Sequence, residues 1–159
     1  MESVLQRVFS GAKKFLDILV PSIFFVLLLV ITWQVISRYI LNSPSTVTEE
    51  LGRLLLMWLG VLGSALTWAE KKHIAIDIVH QQLSDTMRAR LEKLIYLCTT
   101  FFGVLLTFGG LHLVQNAFRL SQKTPALGIS MGIVYLVVPV GGVCFSLFSL
   151  QFFLTPQEG

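Results

Sequence analysis

The sequence predicts an all-α membrane protein with four transmembrane helices, an N-terminal amphipathic interfacial helix, and both termini cytoplasmic. Three observations carry this. Of 159 residues, 54% are hydrophobic and 13% charged, far from the balance of a soluble domain. Four apolar runs approach the ~20 residues that a helix needs to cross about 30 Å of hydrocarbon, where no solvent satisfies a free backbone N–H or C=O, so the runs are helices. The Lys and Arg residues also divide unequally. Arg7, Lys13, Lys14, Lys71, Lys72, Arg88, Arg90 and Lys93 fall on the side of the termini and middle loop, against Arg38, Arg53, Arg119 and Lys123 on the other. The richer side is the cytoplasmic one.

Residues 2–17 place Val4, Leu5, Val8, Phe9, Ala12, Phe15 and Leu16 at helical spacing, with Arg7, Lys13 and Lys14 on the opposite face. This predicts an interfacial helix with its cations at phospholipid headgroups. The first span covers about residues 18–40, with Pro21 in its first turn and Arg38 snorkelling to the headgroups near Trp33 and Tyr39. Asn42 to Ser45 turns the chain back.

The second span, about residues 47–70, opens on Thr46 and Glu49, the spacing of a capping box. Ser43 and Pro44 offer a competing start one turn earlier. Glu49 and Glu50 suit the positive end of the helix dipole. Arg53 lies four residues after Glu49 and three after Glu50, so it is expected to reach both carboxylates as a local polar clamp. The uncharged run from Leu54 to Ala69 covers only about 24 Å, which draws the charged ends toward the hydrocarbon edge. Within it, Gly60, Gly63, Ser64 and Ala65 present the small surface that lets helices approach closely in lipid. Trp58 and Trp68 are read as interface or packing residues.

His73 and Asp77 share one side of the middle loop, as a helix face or one side of a strand, and suit a structural hydrogen bond. With only His80 nearby, the three or four convergent ligands of a metal site are missing. The third span, about residues 90–118, continues a helix that starts at Ser84 and Asp85 and must tilt or protrude. His112 is its one ionisable group at membrane depth. The fourth span, about residues 127–154, carries Gly128 and Gly132 at GxxxG spacing and a kink at Pro139, which crowds the carbonyl of Tyr135. Cys98 and Cys144 have no CxxC or Cys/His context and are read as packing residues.

No catalytic, metal or cofactor constellation is present, and haem ligation by paired histidines is excluded because no other apolar run holds a histidine. The net charge of +3 comes from span ends rather than from a basic patch with exposed aromatics, so nucleic acid is not an expected partner.

The order TEELGRLLLMWLGVLGSALTWAEKKHIAID, a long third span, then TPALGISMGIVYLVVPVGG resembles the small membrane subunit of tripartite ATP-independent periplasmic (TRAP) transporters, the DctQ type. The resemblance covers nearly the whole chain. It implies a multi-pass protein of the bacterial inner membrane that braces a large, elevator-type permease subunit. That transporter would import an organic acid of the sialic acid or C4-dicarboxylate type, delivered by a periplasmic binding protein. Sodium coupling would belong to the large subunit, with no cofactor in this chain. With the resemblance, Glu49, Glu50, Arg53, Trp58, Gly60 and Ser64 are the polar clamp or large-subunit interface, the first three facing either the large subunit or the binding protein. His73 and Asp77 are a cytoplasmic loop anchor, and Ser43, Ser45, Lys123 and Thr124 candidate contacts of the binding protein. A self-contained homo-oligomeric transporter is the competing reading, disfavoured by the scarcity of polar groups at membrane depth and the lack of an inverted repeat. A membrane enzyme is disfavoured by the lack of a nucleophile or redox motif.

Overall fold

The computed structural model describes residues 2–70 and 85–154. Five helices build it: α1 (Glu2–Tyr39), α2 (Thr46–Ala69), α3 (Asp85–Arg119), α4 (Met131–Tyr135) and α5 (Val137–Leu154). α4 and α5 are one span interrupted at Leu136. Four helical units, Gln6–Tyr39, Thr46–Ala69, Arg90–Arg119 and Met131–Leu154, are therefore long and apolar enough to cross a membrane.

The boundary expected between an interfacial helix and the first span is absent. α1 runs unbroken for 38 residues, about 57 Å. Its amphipathic start packs against protein instead: Phe9 and Leu16 are buried, and Ala12 and Leu19 flank the core. Pro21 thus lies deep inside a helix, not in a first turn. The cost is one missing N–H opposite the carbonyl of Asp17, and the exposed ring finds room on the outer face. Lys13 also has a different role from the one expected. Its Nζ lies 3.0 Å from Asp17 and 3.9 Å from Glu70 at the end of α2, tying the two helices rather than only facing headgroups.

α3 is continuous from Asp85, as the sequence implies, and its 35 residues measure about 52 Å. α2, with 24 residues, measures about 36 Å. In space α1 packs on α2, α2 on α5, and α5 on α3. The two long helices are thus the outer ones, and both overhang at the end where Lys13 meets Glu70 and where Tyr96 packs between Trp68 and Phe152.

The core is a thin seam of Leu16, Ile23, Leu62, Ala65, Trp68, Val137, Cys144 and Phe148. Large side chains such as Phe25, Leu29, Phe101 and Phe108 point outward, as expected where the solvent is hydrocarbon and burial between helices brings no hydrophobic gain. Contact between α3 and α5 relies on small residues instead. A Cβ on Gly103 would stand 2.7 Å from the carbonyl oxygen of Gly142, one on Gly142 2.7 Å from that of Gly103, and one on Gly110 2.7 Å from the Pro139 nitrogen. The expected Gly128/Gly132 packing motif does not form. Gly128 lies in the loop before α4 with φ +66°, and Gly132 faces the ring of Phe118. Of the two cysteines, Cys144 packs in the core but Cys98 is exposed on the outside of α3.

Candidate functional site: the polar end of the α1–α2 hairpin

α2 begins one residue earlier than the capping box requires. Ser45 is the N-cap, its hydroxyl accepting from the Thr48 N–H at 3.4 Å while Thr48 Oγ1 donates to the Ser45 carbonyl at 3.0 Å. Thr48 therefore occupies the third helical position that Glu49 would need to reach back to the cap. Glu49 is left free to turn sideways and accepts from Arg38 Nη2 of α1 at 2.5 Å. Arg38 closes the hairpin rather than snorkelling alone. The turn beneath is held by Ser37, whose hydroxyl donates to the Ser43 carbonyl, and by Asn42 at φ 50°.

Glu50 turns the other way. Its Oε2 accepts from the Ala126 N–H at 2.7 Å and the Leu127 N–H at 2.8 Å. The loop it grips is already ordered by Thr124, which is buried. The Thr124 N–H donates to the Ile129 carbonyl at 2.8 Å, its Oγ1 accepts from the Ile129 N–H at 3.0 Å, and its carbonyl accepts from the Gly128 N–H at 3.0 Å.

The expected Glu49/Glu50/Arg53 clamp does not form. Helical spacing permits it, but a short bond to Arg38 and two fixed backbone donors outcompete a long flexible side chain on the same helix. Arg53 is exposed, with no hydrogen bond or ion pair among the described residues. It lines two adjoining clefts. One, of about 500 Å³, lies between α1 and α2 and includes Ile31, Val35, Arg38 and Leu56. The other, of about 530 Å³, lies toward Thr46, Pro125 and Met131.

Farther along α2, Trp58 is an internal tie. Its Nε1 donates to the Val134 carbonyl at 3.1 Å, beside the break in the fourth span. There Leu136 N–H bonds only three residues back, to Ile133 at 3.3 Å, as expected ahead of the ring of Pro139. Trp68 makes a second tie, with Nε1 2.7 Å from the hydroxyl of buried Ser149. Gly60 and Ser64, in contrast, face outward. Ser64 Oγ donates to the Gly60 carbonyl at 2.6 Å, and a Cβ on Gly60 would meet nothing within 4 Å. With Arg53, Leu56 and Thr67 they form one exposed stripe.

The remaining candidates separate. Ser43 and Lys123 are exposed at the same end, but Ser45 is a cap and Thr124 is buried, so neither of the latter offers a docking group. His73 and Asp77 lie outside the described residues. His112 faces outward with Nδ1 2.9 Å from Asn116 Nδ2, and no cluster of three metal-ligating side chains occurs among the described residues. Sequence reasoning missed the Arg38–Glu49, Glu50–loop and Trp68–Ser149 pairs. A lone hydroxyl such as Ser149 within an apolar run was the one available signal that a distant donor was needed.

The model of the family described as "Tripartite ATP-independent periplasmic transporters, DctQ component" matches residues 27–158. The chain is 34% identical over 118 residues to the sialic acid TRAP transporter small permease protein SiaQ of Vibrio cholerae, covering 74% of this chain and 66% of that protein. It is 29% identical over 108 residues to the C4-dicarboxylate TRAP transporter small permease protein DctQ of Rhodobacter capsulatus, covering 65% and 47%. It is also 25% identical over 120 residues to the isethionate TRAP transporter permease protein DctMQ of Oleidesulfovibrio alaskensis, covering 72% of this chain but 19% of that protein. In that longer permease the small subunit is one part of a larger chain, in keeping with a family whose small subunit works with a large one. A family match across four membrane-spanning units identifies the chain as a DctQ-type TRAP transporter small membrane subunit of the bacterial inner membrane.

Proposed function

We propose that this chain is the fixed scaffold of a sodium-coupled TRAP importer, bracing a large permease subunit that carries the moving parts. Its cargo is an organic acid of the sialic acid or C4-dicarboxylate class, delivered by a periplasmic binding protein, with both termini of this chain in the cytoplasm. The observation that carries the reading is the outward stripe of Gly60, Ser64 and Thr67 on α2. Among the described residues no helix covers it, and it is the small surface that permits close approach of a second helix in lipid. A stator must also resist deformation, and Arg38–Glu49, Glu50 with Ala126 and Leu127, Trp58–Val134 and Trp68–Ser149 tie this chain's helices and loops to one another. The cargo class rests on the relatives' names, and the sodium coupling on the family resemblance. Of the four candidate contacts of the binding protein, Ser43 and Lys123 are the exposed ones.

Sodium-driven uptake into proteoliposomes tests this. With binding protein supplied, the two membrane subunits together transport and neither does so alone. Uptake by this chain alone would favour a self-contained homo-oligomeric transporter.

A further inference from the structure

Among the described residues no side chain pairs with Arg53 or fills the clefts beside it. Both nearby carboxylates are engaged elsewhere: Glu49 by Arg38, and Glu50 by the backbone of Ala126 and Leu127. The guanidinium has no hydrogen bond or ion pair among the described residues, and the uncharged run from Leu54 to Ala69 begins at the next residue. An arginine at the hydrocarbon edge is costly unless an anion or water meets it.

We propose that Arg53 holds the phosphodiester of a net-anionic phospholipid, of the phosphatidylglycerol type, as a lipid fixed to this chain. The cleft between α1 and α2 has the polarity gradient of such a molecule. Arg38, Arg53 and Glu49 stand toward the loop end, and Ile31, Val35 and Leu56 form apolar walls below them. Gly52 deepens the floor, since a Cβ there would first meet Gln34 and Val30 at 3.9 Å. Arg38 pairs with Glu49 and two backbone N–H groups hold Glu50, so Arg53 is the group left to meet a phosphodiester, which arginine binds in a bidentate fashion. The second cleft, lined by Thr46, Glu50 and Thr124 as well as Arg53, takes the polar headgroup while the first takes an acyl chain. A protein carboxylate could answer the charge but would leave the apolar cleft below it unfilled. The proposal depends on the membrane assignment and not on the scaffold role.

Native mass spectrometry of the full chain, supplied with equal phosphatidylglycerol and phosphatidylcholine, tests it. One phosphatidylglycerol is retained per chain, preferred by about fivefold or more, a difference of about 1 kcal/mol. Arg53→Gln removes the preference, and so does Val35→Trp, which fills the cleft without changing charge. Arg119→Gln, a control cation outside both clefts, leaves it intact. Equal retention of both lipids by the wild type, or undiminished preference in Val35→Trp, overturns the proposal. Displacement by free glycerol phosphate at equal concentration does so as well, because it would mean an anion site without a lipid. Loss of preference in Val35→Trp, with its thermal stability unchanged, keeps the result interpretable if Arg53→Gln does not fold.

Discussion

The carboxylate of Glu50 holds the backbone N–H of Ala126 at 2.7 Å and that of Leu127 at 2.8 Å, joining the second turn of α2 to a loop 76 and 77 residues away. Hydrogen bonds to a charged acceptor contribute about 1.5–3 kcal/mol, and partial solvent access places this pair toward the lower end. Glu50→Ala is expected to lower thermal stability measurably in detergent and to expose the loop around Pro125 to protease. Glu50→Gln, which keeps one acceptor oxygen, loses less. Equal cleavage of all three proteins would show that the loop holds without this tie.

Arg38 and Glu49 are closer still, at 2.5 Å, yet their side chains are 51% and 26% exposed. An exposed pair couples by only about 0.2–1 kcal/mol. A double-mutant cycle with Arg38→Ala and Glu49→Ala is expected to fall in that range and to shrink in high salt. A coupling as large as the loss from Glu50→Ala would reverse the ranking of the two ties.

Trp68 and Ser149 form the buried counterpart, with nitrogen and oxygen 2.7 Å apart. Trp68→Phe keeps most of the ring but leaves the serine hydroxyl without its indole donor, at a cost of about 1–3 kcal/mol. Adding Ser149→Ala to Trp68→Phe recovers part of that cost, because no polar group is then stranded. Thermal unfolding of the two single variants and the double variant checks this.

The glycines separate into two kinds. A Cβ on Gly142 would lie 2.7 Å from the Gly103 carbonyl oxygen and 2.7 Å from the Thr107 nitrogen, whereas one on Gly60 meets nothing within 4 Å. Gly142→Ala is expected to push α5 from α3 and destabilise by about 1–3 kcal/mol. Gly60→Ala leaves the isolated chain unchanged or raises its stability by up to about 1 kcal/mol, through helix propensity. Unfolding midpoints of the two variants decide the contrast.

What the sequence reveals is local. The ends of α2 and α3 are legible because caps and apolar runs mark them: a span of about 47–70 against Thr46–Ala69, and a helix from Asp85 against Asp85–Arg119. The disturbance at Pro139 is legible for the same reason, since a missing N–H acts on its own turn. The ties are not. Arg53 satisfies every spacing rule for pairing with Glu49 and Glu50, but partners on α1 and on a loop more than 70 residues distant outcompete it. The run-on of α1 through residue 17 is hidden as well, because Phe9 and Leu16 would form the same apolar face on lipid as on protein.

The central claim is that the α2 stripe docks a large permease subunit, and copurification of that subunit with tagged Gly60→Leu/Ser64→Leu chain tests it most directly. Bulk on a face that none of the described residues covers leaves this chain folded and inserted but lowers the recovered large subunit by about tenfold or more, a loss of at least about 1.4 kcal/mol. Recovery equal to that of the wild-type chain would contradict the account.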